Sequence, residues 1–349
     1  MSINHAFDFF VQWHLTEKCN LHCRHCYQTG KRSDEMSLPE IKETINEISD
    51  TLGEWQETYG VNFSPSVNLT GGEPFLHKGL LEVLSEISNH GFDIYILTNG
   101  TLIDKKKAKG LFDLGVKGVQ VSIEGTEEIH ESIRGRGSYS ASMNGVRNFL
   151  DAGLKVTLNV TLSSLNADNF MDMIELSSNL GVHRLGFSRL VPSGRGKSLL
   201  KETLPAESVK SLYDSIFSMN TGPLEIVTGD PVASQLINKT ANSDLGDVPT
   251  GGCAAGVSGL TILPDGTLVP CRRLQIPIGN IRKDSLREIW AGSDVLNALR
   301  DRTRYKGKCG VCKKWAACRG CRAIAYAYPN GNGDHDLLAE DPQCFIEQP

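Results

Sequence analysis

Three cysteines near the start of the chain are spaced closely enough to hold one inorganic group. Cys19, Cys23 and Cys26 form a CxxxCxxC motif that directly follows an apolar, aromatic run of strand character. Three thiolates on a short loop can bind three irons of a four-iron cluster, whose full protein coordination takes four ligands. A structural zinc site instead favours a closed set of four ligands, commonly two separated CxxC pairs. The motif therefore predicts an iron–sulfur cluster with one open iron.

The other seven cysteines form a second group in the last part of the chain. Seven thiolates cannot complete two four-iron clusters, because two such clusters take eight. One position must then be filled by another group or left open. CxxC pairs are also common in zinc sites, but the two pairs here are separated by only five residues, far fewer than in a zinc ribbon. The seven are Cys253, Cys271, Cys309, Cys312, Cys318, Cys321 and Cys344.

A glycine motif follows the second predicted strand. Gly71, Gly72 and Glu73 precede a proline at the end of the run 66–70. The two glycines let the backbone approach a ligand closely, and carbonyl groups or the Glu73 carboxylate can accept hydrogen bonds from an ammonium group. Alone, such a sequence is most often a turn, but it gains weight from the CxxxCxxC motif before it.

The elements that position these motifs alternate between short β-branched runs and amphipathic segments. This alternation predicts parallel strands joined by helical crossovers. Six strand–helix units are too few for a complete eight-fold barrel, so an α/β fold with a partial (β/α)6 TIM-like barrel is expected. Motifs at strand ends then lie at the carboxyl edge of the sheet, where α/β proteins bind ligands. The predicted strands are 10–15, 66–70, 93–98, 118–123, 155–161 and 184–189, and the predicted helices are 38–51, 78–88, 104–114, 139–152, 168–180 and 206–218.

Two domains are expected. The barrel takes residues 1–221, and the stretch 222–252, rich in Gly, Pro, Asn, Ser and Asp and without periodicity, is interpreted as a linker. Residues 253–349 show little helical pattern apart from 285–300. A small region with seven cysteines and little core of its own is predicted to be an iron–sulfur domain that metal holds together.

Composition and charge exclude several classes of function. Hydrophobic residues at 40% and charged residues at 22% describe an ordinary globular protein. A formal charge of −5 without a long Lys/Arg run argues against nucleic-acid binding. No signal peptide and no stretch of about 20 apolar residues are present, so we expect a cytoplasmic protein without a membrane partner. In that reducing compartment the cysteines are expected to serve metal or redox chemistry rather than disulfides.

The two motifs together resemble the radical S-adenosylmethionine superfamily, and the later cysteines resemble its SPASM extension. The resemblance implies an oxidoreductase in which an electron passes into the first cluster and S-adenosylmethionine is cleaved to methionine and a 5′-deoxyadenosyl radical. That radical abstracts hydrogen from the substrate. The implied cofactors are S-adenosylmethionine and three [4Fe–4S] clusters, one of them binding S-adenosylmethionine and two auxiliary. The implied partners include a reducing donor of the flavodoxin or ferredoxin type.

The resemblance also assigns the cysteines to clusters. The first three would hold the cluster that binds S-adenosylmethionine. One auxiliary cluster would be closed by Cys309, Cys312, Cys318 and Cys344. The other would have three thiolates, from Cys253, Cys271 and Cys321, and its remaining iron could take a substrate thiolate or selenolate, a water or another side chain. The last CxxC pair departs from the family pattern, in which the spacing is often three residues.

Residues that contact S-adenosylmethionine are implied in the same way. In the family the glycine motif holds the amino group, which here points to Gly71, Gly72 and Glu73. Ser122 and Arg134 would contact the methionine carboxylate or the ribose. His25 would lie against the adenine, and Leu190 would border it. No catalytic side chain is identified.

The substrate is expected to be a ribosomally made precursor peptide. The run 9–15 before the first cysteine resembles peptide (RiPP) maturases of the thio(seleno)oxazole type. The expected product is a crosslink or an oxidation near a cysteine or selenocysteine. Because only eighteen residues precede Cys19, we expect any leader recognition to come from a separate protein.

Other functions stay open. A haem-pathway radical enzyme that acts on porphyrin propionates shares the two-part layout. Arg272 and Arg273 could meet such a carboxylate, although exposed charges are the commoner role of arginines. In sulfatase-maturing enzymes an acidic residue follows the cysteine equivalent to Cys271, which disfavours that activity here. From another class, a non-catalytic iron–sulfur carrier or scaffold would need neither the glycine motif nor the barrel, and would not release 5′-deoxyadenosine under reducing conditions.

Overall fold

A single ten-stranded sheet organises the protein. The computed structural model describes residues 6–30, 34–237 and 247–346. Seven consecutive strands are parallel, each pairing with the next, and they form an open barrel wall. All six predicted strands are confirmed, and so is the partial α/β barrel. The seven strands are β1 (Phe7–His14), β2 (Phe63–Thr70), β3 (Asp93–Thr98), β4 (Gly118–Ser122), β5 (Val156–Leu162), β6 (Arg184–Arg189) and β7 (Glu225–Thr228).

Helical crossovers connect the strands, and the first shows why they form where they do. Ser37 and Glu40 make a reciprocal capping box, in which the Glu40 carboxylate accepts the Ser37 backbone N–H at 2.7 Å. Ile41, Ile45 and Ile48 recur at helical spacing and are buried against the sheet. The crossover helices are α1 (Leu38–Tyr59), α2 (Leu80–Asn89), α3 (Lys105–Asp113), α4 (Glu127–Arg134), α5 (Ser138–Asp151), α6 (Phe170–Leu180) and α7 (Ala206–Ser218).

Two barrel elements lie outside the predicted ones. Helix α4 is eight residues long, mostly polar, and buries only His130 and Ile133, so it is too short to stand out in the sequence. Strand β7 lies inside the stretch interpreted as a linker, and none of its four residues is fully buried. The same stretch includes the short helix α8 (Ser234–Ile237), while residues 238–246 lie outside the described part. The stretch is therefore more structured than a linker, and the position of the domain boundary stays a prediction.

The cysteine-rich region extends the barrel sheet instead of building its own. Its first strand pairs in parallel with β1, in the register that places Phe10 beside Gly259 and Trp13 beside Ile262. The two strands after it continue the sheet antiparallel. The predicted helix 285–300 is two helices, separated at Ser293, whose hydroxyl caps the second. The elements are β8 (Gly259–Ile262), β9 (Thr267–Val269), β10 (Gly279–Asn280), α9 (Leu286–Gly292), α10 (Asp294–Arg300), α11 (Gly307–Val311) and α12 (Arg322–Ala327).

A buried charged network also joins the two parts. Arg189, at the end of β6, donates two hydrogen bonds to Asp230 at 2.6 and 2.9 Å and two to Asp341 at 2.8 and 3.0 Å. Asp341 in turn accepts the backbone N–H of Cys321 at 2.8 Å. Burial alone would raise the pKa of Asp230, but the charge of Arg189 outweighs it and holds the pKa below its ordinary value. The barrel thus fixes the backbone of a cysteine in the other region.

Across the described ranges, every helix is either too short or too polar to span a lipid bilayer.

Candidate active site and cysteine groups

A cavity of about 140 Å³ lies at the carboxyl ends of strands β2 to β6. It is lined by the three early cysteines and by six of the seven side chains and glycines implied to bind S-adenosylmethionine. Residues that are far apart in the chain therefore meet in one place, as expected for strand ends of a parallel sheet. Their individual contacts with a cofactor stay predictions. The six are His25, Gly71, Gly72, Ser122, Arg134 and Leu190.

The loop of the first three cysteines surrounds its sulfurs with hydrogen-bond donors. The Leu21 backbone N–H lies 3.4 Å from Cys19 Sγ, and Arg134 Nη1 lies 3.7 Å from Cys23 Sγ. Burial raises the pKa of the Cys19 thiol to about 11. Since iron binds the thiolate, assembly of a cluster must displace this proton. Donors aimed at cluster sulfurs also influence the reduction potential.

The glycine motif holds the backbone that leads into this loop. The Gly72 N–H donates to the Thr16 carbonyl at 2.6 Å, and the Glu73 N–H donates to the Lys18 carbonyl at 2.8 Å. A Cβ at Gly72 would overlap the Lys18 carbonyl oxygen, and Gly71 has a φ of +152° with its own close approach to Thr16. Both positions therefore require glycine, and they set the position of Cys19.

Glu73 is not among the residues that line the cavity, which differs from the expectation that its carboxylate meets a ligand. The carboxylate is fully buried and accepts hydrogen bonds from the Thr98 hydroxyl at 2.7 Å and the Asn99 N–H at 2.9 Å. Burial raises the pKa of Glu73 to about 7. The Asn99 amide nitrogen lies 4.0 Å from Cys19 Sγ. Glu73 thus positions the end of β3, and of its motif only Gly71 and Gly72 line the cavity.

Glu124 is a functional candidate that the sequence reasoning missed. It follows β4, is fully buried, and accepts hydrogen bonds from Arg134 at 2.5 and 2.9 Å and from the Thr161 N–H at 2.8 Å. Burial alone would raise the pKa of Glu124, but the charges of Arg134 and His25 hold it well below its ordinary value. The acidic residue at a strand end, two positions after Ser122, was the available signal. Its carboxylate orients Arg134 toward Cys23.

His25 keeps one ring nitrogen available. Its Nε2 lies 3.4 Å from the Glu124 carboxylate and 3.4 Å from Arg134 Nη2. Its Nδ1 is buried without a hydrogen-bond partner among the described residues. A buried polar atom without a partner beside a cavity suits a ligand that supplies one.

Arg272 and Arg273 line the cavity rather than the outer surface. Both are only half-buried by exposed area, because they border the open space of the cavity. The two arginines therefore face the cavity, whereas most arginines in proteins face the bulk solvent. A third arginine, Arg195, lies in the same lining and donates to the Cys23 carbonyl at 3.3 Å.

Four of the later cysteines surround a second cavity, of about 260 Å³. Gln235 Nε2 lies 3.3 Å from Cys318 Sγ and 3.9 Å from Cys344 Sγ, and the Gly320 N–H also points at Cys318. Burial raises the pKa of Cys318 to about 12. Three of the four thiols are buried and that of Cys312 is half-buried, and four thiols around a space of this size fit a polynuclear iron–sulfur group. The four are Cys309, Cys312, Cys318 and Cys344.

The remaining three cysteines form a separate group behind the two arginines. Cys271 packs against one apolar cluster that contains Cys321 and another that contains Cys253. Burial raises the pKa of Cys321 to about 12, and the charge of Arg273 opposes that rise. Within the described residues, no three His, Cys, Asp or Glu side chains come close enough to hold a single metal ion. The cysteines instead suit polynuclear clusters, because four of them line one cavity and the other three pack around two adjoining apolar clusters.

Two family models match the chain. The model described as the radical SAM superfamily matches residues 13–177, and the model described as an iron–sulfur cluster-binding domain, SPASM, matches residues 253–322. An AdoMet-dependent heme synthase of Methanosarcina barkeri (strain Fusaro) is 30% identical over 96% of this chain and 95% of its own length. The mycofactocin maturase of Mycolicibacterium smegmatis is 28% identical over 96% of this chain and 82% of its own. These matches confirm the resemblance stated from the motifs.

A solved structure has the same fold along nearly the whole chain. Streptococcus suis SuiB bound to S-adenosylmethionine superposes with a TM-score of 0.77 at 15% identity, covering 98% of this chain and 78% of that one. SuiB bound to its precursor peptide SuiA superposes with a TM-score of 0.74 at 17% identity, covering 98% and 76%. At these identities the likeness is one of fold.

Proposed function

Because the chain belongs to the radical S-adenosylmethionine superfamily and carries a SPASM iron–sulfur domain, we propose that this enzyme is a peptide maturase. Its substrate is a ribosomal precursor peptide, and its product carries a crosslink or an oxidation near a cysteine or selenocysteine. The enzyme works in the cytoplasm with a flavodoxin- or ferredoxin-type donor, and a separate protein recognises the leader.

The cavity residues bind and orient the cofactors. When bound, the first cluster and S-adenosylmethionine supply a 5′-deoxyadenosyl radical that abstracts hydrogen from the substrate. Cys19, Cys23 and Cys26 hold the cluster. The backbone of Gly71 and Gly72 accepts the amino group of the nucleotide, and Arg134, which Glu124 holds in place, faces its anionic end. Leu190 and Val191 are buried and apolar, and they exclude water from that side.

The observation that carries the peptide proposal is the three-cysteine group beside the cavity wall. Cys271 immediately precedes Arg272 and Arg273, which line the cavity. A cluster held by Cys253, Cys271 and Cys321 lacks one thiolate. The soft thiolate or selenolate of a substrate residue is a suitable fourth ligand for iron, and it would place the neighbouring C–H bonds near the cavity.

The known proteins support a peptide substrate in two ways. SuiB, which has the same fold, has been solved with a precursor peptide, and a relative that aligns along nearly the whole chain is named a maturase. A protein with this fold can therefore bind a precursor peptide.

A second candidate function is modification of a porphyrin propionate. The heme synthase of Methanosarcina barkeri aligns with 95% of its own length at 30% identity, higher than the maturase. Arg272 and Arg273 in the cavity would suit a propionate. This candidate keeps the same radical chemistry and changes only the substrate.

The test compares the two substrates on anaerobically reconstituted enzyme. One reaction contains a precursor peptide with a cysteine, chosen from the short reading frames that neighbour the gene for this chain, another contains coproporphyrin III, and both contain S-adenosylmethionine and dithionite. We expect the peptide to stimulate release of 5′-deoxyadenosine and to lose hydrogen, measured by mass spectrometry. Cys271→Ala should abolish the peptide product while the first cluster is retained. Decarboxylated porphyrin together with an unchanged peptide would replace the first proposal with the second.

The number of clusters can be counted directly. Three [4Fe–4S] clusters predict about twelve irons per chain, and about eight in a variant in which Cys19, Cys23 and Cys26 are all alanine. Iron and sulfide assays on anaerobic protein measure both. A wild-type value of about eight would mean that one auxiliary cluster is missing.

A further inference from the structure

We propose that Arg272, with Arg273 beside it, binds a carboxylate of the substrate in the cavity. The inference rests on the proposed radical function and adds a chemical requirement for the substrate. The carboxylate belongs either to a peptide, as an acidic side chain or a chain end, or to a porphyrin propionate, and the test below separates these sources.

The backbone presents both arginines to the cavity. The Leu274 N–H donates to the Cys271 carbonyl at 2.8 Å, which closes a tight turn with the two arginines at its tip. Leu274 is fully buried in an apolar cluster, so one end of the turn is fixed by packing. The other end is fixed by Cys271, which packs into the same cluster. The arginines are therefore held at the cavity wall.

Arg272 has no carboxylate partner among the described residues. It makes neither a hydrogen bond nor an ion pair there, and its guanidinium lies 5.8 Å from the centre of the Tyr27 ring. The guanidinium is half-buried and borders the open space of the cavity. Its hydrogen-bond donors are therefore unused by the protein, and a bound carboxylate would supply both acceptors and the counter-charge.

Arg273 is only partly satisfied. Its Nε is buried without a partner, and its Nη1 makes two long contacts of 3.4 Å, with Ser188 Oγ and the Arg189 carbonyl. Asp230 acts on Arg273 electrostatically, but both carboxylate oxygens of Asp230 already accept from Arg189. Arg273 also lies close to Cys271 and Cys321. Arg272 is thus the stronger candidate for the anion, and Arg273 connects it to the three-cysteine group.

The other two arginines of the cavity already have partners. Arg134 is paired with Glu124, with a shortest distance of 2.5 Å, and Arg195 donates to the Cys23 carbonyl. Arg195 has no carboxylate partner either, but its Nε is engaged by a carbonyl of the cysteine loop. The guanidinium of Arg272 makes no hydrogen bond among the described residues, and its planar fork matches a carboxylate with two parallel hydrogen bonds.

The experiment measures equilibrium binding to the reconstituted holoenzyme with S-adenosylmethionine present. One probe pair is coproporphyrin III and its tetramethyl ester. The other is an acetylated, amidated peptide containing Cys-Glu and its Cys-Gln counterpart. The variants are Arg272→Ala, Arg272→Lys and a matched control, Arg184→Ala, which removes an arginine from an exposed ion pair with Glu225.

We expect the acid form of one pair to bind about 10- to 100-fold more tightly than its neutral form. Arg272→Ala should erase that preference, Arg272→Lys should retain part of it, and Arg184→Ala should retain all of it. If Arg272→Ala does not keep its iron, the comparison of Arg272→Lys with wild type decides.

Three results would overturn the inference. They are an equal affinity for acid and neutral forms in both pairs, a preference that survives in Arg272→Ala, and a weakening of S-adenosylmethionine binding in Arg272→Ala as large as that of the probe. The last would mean that the arginine serves the cofactor. A preference for the acid form in the porphyrin pair alone would support the arginine site and contradict the peptide proposal. The arginine site and the peptide proposal are therefore tested separately.

Discussion

Two buried glutamates near the cavity, Glu124 and Glu73, have pKa values shifted in opposite directions. Glu124 lies at the end of β4 and neutralises Arg134, so that a buried guanidinium can lie beside Cys23 without an excess of charge. Glu73, another buried carboxylate nearby, has hydrogen-bonding groups but no arginine in contact, and burial raises its pKa to about 7. Two carboxylates of the same wall therefore differ because only one has a direct cationic partner.

The Glu124 pair gives the first prediction. Glu124→Gln leaves Arg134 buried without a counter-charge, so we expect the free energy of unfolding to fall by about 3 kcal/mol and S-adenosylmethionine to bind more weakly. Denaturant unfolding and anaerobic binding titrations measure the two effects. Glu225→Gln, in the exposed pair with Arg184, should change stability by less than about 1 kcal/mol. Equal effects of the two substitutions would contradict the role given to Glu124.

His130 predicts a dependence of stability on pH. It is fully buried, accepts the Glu124 N–H at 3.3 Å, and has its pKa lowered to about 4 by burial, with a further contribution from Arg134. Between pH 4 and the ordinary histidine pKa of about 6.5, the unfolded chain binds a proton that the folded chain excludes, so stability falls as pH falls.

The expected loss from this histidine is about 2 kcal/mol between pH 7 and pH 5. His130→Gln should remove that part of the slope, measured by denaturant unfolding at each pH. His183→Gln, at an exposed position, serves as the control and should leave the slope as in wild type. A slope unchanged in His130→Gln would show that other groups cause the acid sensitivity.

At the scale of elements, turns after strands hold the cysteine loop in place. The glycine turn after β2 makes two backbone hydrogen bonds to the segment 16–18, and the turn after β3 carries Asn99 to Cys19. Neither turn belongs to the loop that it supports. The loop depends on the packing of three successive strand ends, which explains how a short segment without its own helix or strand can present three thiols.

Gly72→Ala tests this dependence. The added Cβ overlaps the Lys18 carbonyl oxygen, so the segment leading into Cys19 must shift. We expect the variant to lose the iron of the first cluster, about one third of the total, while the auxiliary clusters stay. Gly110→Ala, in α3 with open space around the position, should keep all iron and gain about 0.5–1 kcal/mol of stability. Full iron in Gly72→Ala would remove the supporting role of the turn.

On the scale of the whole molecule, the barrel and the cysteine-rich region are one assembly. Strand β8 pairs with β1, and Arg189 joins β6 to Asp341 beside Cys321. The auxiliary cysteines are thus placed relative to the cavity by two independent connections. This arrangement suits electron or ligand exchange between a cavity and a cluster, because their separation is fixed.

Asp341→Asn tests the buried connection. Losing this charge leaves Arg189 with one carboxylate instead of two and weakens the acceptor of the Cys321 N–H. We expect a loss of about 3 kcal/mol in stability and a changed electron paramagnetic resonance spectrum of the auxiliary clusters, with the first cluster unaltered. Asp214→Asn, in the surface pair with Lys210, should alter neither property. An unchanged auxiliary spectrum in Asp341→Asn would mean that the network only stabilises the fold.

The sequence by itself determined whatever depends on local spacing. The CxxxCxxC triplet, the glycine motif and the six strand–helix units are patterns of neighbouring residues, and the structure contains all of those strands and helices. Helix α4 and strand β7 were missed because they have only eight and four residues and bury few of them.

Only the tertiary structure decided which distant residues meet. It placed β8 beside β1, buried Glu73 against Thr98 and Glu124 against Arg134, and brought Arg272 into the cavity wall. It also separated the later cysteines into a group of four and a group of three. The physical reason is that such contacts join residues separated by tens to hundreds of positions, and packing of the strands sets their distances while spacing along the chain does not.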